Sequence, residues 1–255
     1  MDVVQSINII GTNAYVLVNG SAKIEVATIV DMKSVATIEA ISPRYMAKVS
    51  DTKAYVTDWG INGVQVIDLT TSTISSTITC GTGPEGIVVS NGFAYVCNVG
   101  GWGLDNTVTV INTATDAVEN TLTVGDNPNS AVVDANGDVW VLTGGYTEYD
   151  AAWNVISETA GNLVKIVGNT IEAIYAFSVG NHPEDLVIND AGNTLYYSDG
   201  SWSKAVYAFD ILATELSSTA LINKSFYGLG SANGYIYGTD AVSYTHLTLP
   251  TTPYV

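Results

Sequence analysis

Apolar and polar residues alternate along this chain in short runs, and the runs return with a period near forty. One unit reads Gly86-Ile87-Val88-Val89-Ser90, a turn at Asn91-Gly92, then Phe93-Ala94-Tyr95-Val96-Cys97. A loop follows, then Thr107-Val108-Thr109-Val110-Ile111, a turn over Asn112-Thr113-Ala114-Thr115-Asp116, and an outer run from Val118 to Val124. Alternation rich in β-branched residues is what a half-buried antiparallel strand requires. Asn and Gly accept the positive φ of tight hairpins, so each unit predicts four antiparallel strands joined in order.

An aromatic pair marks the second strand of every unit: Tyr15-Val16, Tyr55-Val56, Tyr95-Val96, Trp140-Val141, Tyr196-Tyr197 and Tyr237-Gly238. The steps between them are 40, 40, 45, 56 and 41 residues. Repeats of this length made of short strands predict an all-β fold, a β-propeller of four-stranded blades. Five blades and part of a sixth fit within residues 1–240, with the signature aromatics Tyr15, Tyr55, Tyr95, Trp140, Tyr196 and Tyr237 expected to be packing residues. Residues 241–255 break the pattern. The stretch Val242-Ser243-Tyr244-Thr245-His246-Leu247-Thr248-Leu249-Pro250-Thr251 resembles a translated sequencing adapter, and this tail is expected to be non-native.

The blade joints carry proline: Ser42-Pro43-Arg44, Gly83-Pro84-Glu85, Asn127-Pro128-Asn129 and His182-Pro183-Glu184. Proline fixes φ and cannot donate to a ladder, so it suits the entry to an inner strand. Up-and-down order then places the loop between second and third strands at the same end as the joints. All the length variation falls in those loops. They include Asp58-Trp59-Gly60-Ile61-Asn62-Gly63, a glycine-rich loop with Trp102, an insertion over residues 143–162 with Tyr146, Tyr149 and Trp153, and a loop with Trp202. Trp59, Trp102, Tyr146, Tyr149, Trp153 and Trp202 therefore form a candidate amphipathic platform at one end of the ring. Arg44, Tyr45, Glu85, Asn129 and Glu184, at the joints, supply convergent polar groups. The plainer reading is that the aromatics cover gaps between blades and the joint residues cap inner strands.

Charge narrows the functional classes. With 25 acidic and 8 basic residues the net charge is −17, which repels phosphate backbones and anionic lipid, so nucleic acid is not an expected partner. Cys80 and Cys97 both lie in apolar strand patterns, and buried free thiols are favoured over a bridge between neighbouring blades. The only histidines are His182 and His246, the carboxylates are dispersed, and no nucleophile elbow, phosphate loop or dinucleotide fingerprint occurs. Neither catalytic nor metal-binding residues are assigned, no cofactor is expected, and the chain reads as non-enzymatic. No apolar run reaches the length of a membrane helix, and the start has neither the basic nor the apolar segment of a secretory signal.

Tyr55-Val56-Thr57-Asp58, Val64-Gln65-Val66-Ile67-Asp68 and Gly125-Asp126-Asn127-Pro128 resemble the bacterial YncE-like, YVTN-type propeller repeats. Ser42-Pro43-Arg44-Tyr45, Gly83-Pro84-Glu85-Gly86, Gly100-Gly101-Trp102-Gly103 and Ser225-Phe226-Tyr227-Gly228 resemble a branch of Bacteroidetes surface lipoproteins with a DUF5074-type propeller. That resemblance implies seven blades in a full-length protein, an upstream lipoprotein signal and a chain truncated at both ends, whose open ring would aggregate. It also implies an extracytoplasmic, surface-anchored protein of the BtuG-like kind, capturing vitamin B12 (cobamide) for a TonB-dependent outer-membrane transporter. The alternative is an interaction or surface scaffold without a small ligand, and after it a propeller lactonase or lyase.

Overall fold

A computed structural model describes residues 2–200, 205–224 and 226–239. The first blade comprises β1 (Val4–Ile10), β2 (Asn13–Val18), β3 (Lys23–Thr28) and β4 (Ser34–Glu39). The second comprises β5 (Pro43–Lys48), β6 (Lys53–Asp58), β7 (Gly63–Asp68) and β8 (Thr73–Thr79), and the third β9 (Pro84–Ser90), β10 (Phe93–Asn98), β11 (Thr107–Asn112) and β12 (Ala117–Thr123). In the fourth, β13 (Pro128–Val133) and β14 (Val139–Thr143) are followed by an inserted hairpin, β15 (Tyr146–Tyr149) and β16 (Val155–Thr159). The blade then resumes with β17 (Asn162–Val167) and β18 (Thr170–Ala176). Each of these four sheets is antiparallel with its strands in chain order, apart from the hairpin, which forms a two-stranded sheet of its own.

The fifth blade has three strands, β19 (Glu184–Ile188), β20 (Thr194–Ser198) and β21 (Val206–Asp210). Where a fourth strand is expected there is a single bridge, Val206 to Ile222. Asp210 closes β21 as Asp68 closes β7: its carboxylate accepts from Leu212 N at 2.9 Å and its carbonyl from Ala213 N at 2.8 Å, which turns the chain out of strand geometry. The sixth blade is represented by β22 (Gly228–Ala232) and β23 (Tyr235–Thr239). Residues 241–255, the expected non-native tail, lie outside the described residues.

First strands of successive blades pack side by side in the order β1, β5, β9, β13, β19, β22, as inner strands around an axis do. Between blades the core follows one rule. Tyr15 and Leu17 of β2 pack on Ala54 and Val56 of β6. Tyr55 of β6 packs with Ala94 and Val96 of β10. Tyr95 and Cys97 of β10 meet Val139 and Val141 of β14, and Trp140 and Leu142 of β14 meet Leu195 and Tyr197 of β20. Side chains alternate across a strand, so each second strand turns its signature aromatic to the next blade and its smaller residues to the preceding one.

That rule corrects the expectation for the last two signatures. Tyr196 faces the sixth blade, of which two strands are described, and is only half-buried, whereas Tyr197 takes the core position against the fourth blade. Tyr237 turns its face beyond the sixth blade and is 52% exposed. Both cysteines are free, and burial pushes each thiol up to about 12.

Candidate functional site

Asp58 organises the loop that carries the first candidate tryptophan. It is fully buried at the end of β6, and its carboxylate accepts from Ile41 N and Ser42 N at 2.9 Å, Gly60 N at 2.8 Å and Gln65 Nε2 at 3.0 Å. One side chain thus ties the blade joint to the following loop and caps a single 3-10 turn, Trp59–Ile61. The third blade repeats the scheme with Asp105, whose Oδ2 accepts from Thr82 N at 2.7 Å, while Val99 N and Gly100 N bond to Gly83 O and Thr82 O. Gly83 is required there: its φ is +58° and a Cβ would stand 2.1 Å from Gly101 N. Loops and joints therefore share one end of the ring, as antiparallel order demands.

At the joints, the residue after each proline projects toward the axis mouth. Arg44 donates from Nε and Nη2 to the two carboxylate oxygens of Glu85, both at 2.8 Å, and from Nη1 to Gln5 Oε1 at 2.7 Å. The pair is largely buried, with 17% and 11% of the side chains exposed. Fork-to-carboxylate geometry of this kind is among the stronger charge-assisted arrangements. The Arg44 guanidinium also lies 4.2 Å from the Trp59 ring centroid, a cation–π contact of about 0.5–2 kcal/mol. Trp59 in turn meets Trp102 edge to face, with centroids 6.0 Å apart and planes at 81°. The Trp59 Nε1 is enclosed without a hydrogen-bond partner among the described residues, a cost of about 1–3 kcal/mol. Its ring position is therefore not set by its own polar group.

Two cavities adjoin this stack. One, of about 440 Å³, is lined by Arg44, Tyr45, Trp59, Glu85, Asn129, Tyr146 and Glu184, with Val99, Gly101, Gly103, Leu104, Asn127, Ser130 and Asp185. The other, of about 740 Å³, has Trp59, Trp102 and Arg44 among glycines and the polar residues Asn19, Ser42, Asn62 and Thr82. They share Arg44, Trp59, Gly101, Gly103 and Leu104, so Trp59 stands between two halves of one mouth. Tyr45 lies in this mouth with its phenol held above the ordinary value, first by burial and then by the Glu85 carboxylate.

Of the residues expected in the site, Trp102 lines the second cavity and is 99% exposed. Tyr149 and Trp153 line neither cavity and sit at the far end of the inserted hairpin, their rings 6.0 Å apart. Trp202 lies outside the described residues. Asn129 is held within the framework, donating to Pro183 O at 3.0 Å and accepting from Ser130 Oγ at 2.7 Å. His182 joins the hairpin to the fifth joint: Nδ1 lies 2.7 Å from Gly144 O, and Nε2 2.9 Å from Glu158 Oε1 and 3.0 Å from Thr147 Oγ1. Gln5 escaped the sequence reading although it occupies in β1 the register that Arg44, Glu85, Asn129 and Glu184 occupy in later blades. Its blade lacks the proline that marks the others. Among the described residues no three His, Cys, Asp or Glu side chains are grouped to hold a metal ion, and no helix is long and apolar enough to cross a membrane.

No family model matches the chain, and no curated protein matches it. Solved structures do. The WD40 domain of Neurospora crassa Pan2 is 12% identical with a TM-score of 0.62, covering 89% of this chain and 68% of its own. A functionally unknown protein from Desulfotomaculum acetoxidans is 15% identical with a TM-score of 0.61, covering 93% and 75%. WD40 repeats build propellers. The fold is a β-propeller. The dihydro-heme d1 dehydrogenase NirN, solved with DHE, is 14% identical with a TM-score of 0.63, covering 88% of this chain and 48% of its own. At these identities the likeness is one of fold, and function has to be argued from the propeller's own mouth.

Proposed function

We propose that this propeller is a non-enzymatic, extracytoplasmic binding protein whose joint-and-loop mouth receives a bulky, flat ligand, with cobamide as that ligand. The observation that carries the reading is the stack of Arg44, Trp59 and Trp102 between two cavities that share five lining residues. A corrin ring offers broad apolar faces to tryptophan and peripheral amides to groups such as Asn62, Thr82 and Tyr45. The choice of cobamide, and of a TonB-dependent outer-membrane transporter as recipient, comes from the resemblance to the surface-lipoprotein repeats. Calorimetric titration with cyanocobalamin tests it: saturable heat in the wild type, reduced in Trp59→Ala, is expected. Absence of heat in a folded wild-type protein rules cobamide out.

A second reading, an interaction scaffold without a small ligand, rests on Trp102, which stands 99% exposed at the rim. Under that reading Trp102→Ala weakens retention of a partner protein while small molecules leave tryptophan emission unchanged.

A further inference from the structure

The inserted hairpin β15–β16 stands apart from the blade that carries it. Its strands pair only with each other, from Tyr146 opposite Thr159 to Tyr149 opposite Val155 with a bulge before the tip. Its base is pinned through His182 to Glu158 and Thr147, and through Thr159 Oγ1 to Asp126 at 2.7 Å. Its far end is apolar and exposed: Tyr149, Val155, Ile156 and, at 80%, Trp153.

Trp153 is the telling residue. It occupies the turn with φ +65°, a left-handed conformation that suits glycine or asparagine and is costly for a bulky side chain. The turn is nonetheless firmly built. Asp150 accepts at its carboxylate from Ala152 N at 2.8 Å and from Asn154 N and Nδ2 at 2.9 Å, and at its carbonyl from Trp153 N at 3.0 Å. An indole displayed in an unfavourable backbone conformation, with Tyr149 as its one ring neighbour among the described residues, adds little to the fold that a glycine at this turn would not offset. Its use lies outside the chain. Exposed tryptophan and tyrosine on a rigid support are what protein interfaces concentrate.

Charge identifies the occupant. Residues 143–162 contain no lysine or arginine, and Glu148 and Asp150 flank the apolar tip. We propose that the far end of this hairpin is a docking surface for a protein partner whose contact segment interleaves apolar side chains with lysine or arginine. The acidic flank and the net charge of −17 disfavour a bilayer bearing anionic lipid. The hairpin leaves the ring at Tyr146, which lines the 440 Å³ cavity, so a partner seated there lies beside the mouth. The proposal is independent of which ligand the mouth takes.

The test uses the whole protein at physiological ionic strength and three probes: a labelled peptide alternating leucine and lysine, its leucine–glutamate counterpart, and phosphatidylcholine vesicles. Trp153→Gly is the informative variant because glycine fits the positive φ, so it should unfold no more readily than the wild type. The leucine–lysine peptide is expected to bind the wild type and to bind Trp153→Gly and Tyr149→Ala at least about tenfold more weakly, with Leu212→Ala, at an exposed apolar residue of the fifth blade, unchanged and the glutamate peptide inert. Equal affinity for wild type and Trp153→Gly, equal binding of the two peptides, or no binding of the lysine peptide overturns the proposal. A blue shift of tryptophan emission on the vesicles that vanishes in Trp153→Gly overturns it in favour of a membrane surface.

Discussion

Removing Glu85 should expose how far the mouth depends on one ion pair. In Glu85→Ala the Arg44 guanidinium keeps Gln5 at 2.7 Å and the Trp59 face at 4.2 Å but loses two charge-assisted bonds of 2.8 Å. Breaking a buried pair by deleting one partner costs about 3–5 kcal/mol, chiefly because the surviving charge stays desolvated. Side-chain exposures of 17% and 11% admit a little water, which places the expected loss at the lower end, about 3 kcal/mol. Arg44→Met alone should cost a similar amount by stranding the carboxylate. The double variant Glu85→Ala with Arg44→Met should recover much of it, leaving a coupling of at least about 1 kcal/mol. Urea denaturation of the four proteins, followed by tryptophan fluorescence with a constant m-value, measures the cycle. Single losses below about 1 kcal/mol, or strict additivity of the two substitutions, would refute a desolvated, coupled pair.

Other outcomes are equally concrete. Asp58→Ala strands the amides of Ile41, Ser42 and Gly60 together and should cost about 3–5 kcal/mol in urea denaturation, with Trp59 emission shifted in the native state. Tyr55→Phe removes a hydroxyl that donates to Asp116, in the turn between β11 and β12 of the neighbouring blade, where Lys53 also reaches Asp116 at 2.6 Å; a loss of about 1 kcal/mol is expected. Burial raises the two thiols from 9.0 to about 12, so the folded protein retains protons that the unfolded chain releases. The thiols' contribution to stability should therefore be fully present below pH 9 and be lost as pH rises from 9 toward 12. Denaturation midpoints at pH 7, 9 and 10 check the sign, and thiol reagents at pH 8 should react with Cys97 only on unfolding.

The blades were legible because strand alternation and the Asn-Gly turns are local signals. The run from Gly86 to Val124 reads almost as β9 to β12 fold. Which way each signature aromatic faces was not legible, since a strand's two faces are told apart only by the blade on either side. Tyr237 shows this by standing exposed where a packing role was expected. The inserted hairpin went unread because Gly144-Gly145 and Asp150-Ala151-Ala152 resemble loop, and its turn uses a tryptophan in a glycine's conformation. In the mouth, the joint residues could be picked by their proline, but the pairing of Arg44 with Glu85 spans 41 residues and depends on neighbouring blades being placed first. Asp58 was visible in the sequence only as part of a repeat; its four hydrogen bonds exist because three separate segments meet there.

The central claim, that the loop-and-joint end is the binding face, is tested most directly by hydrogen exchange with and without cyanocobalamin. The account predicts slowed exchange in residues 41–45, 58–63, 81–85 and 99–106, with no change in the short turns at 11–13, 51–53 and 91–92 on the opposite end. Protection at those turns, or none anywhere at saturating ligand, would contradict it.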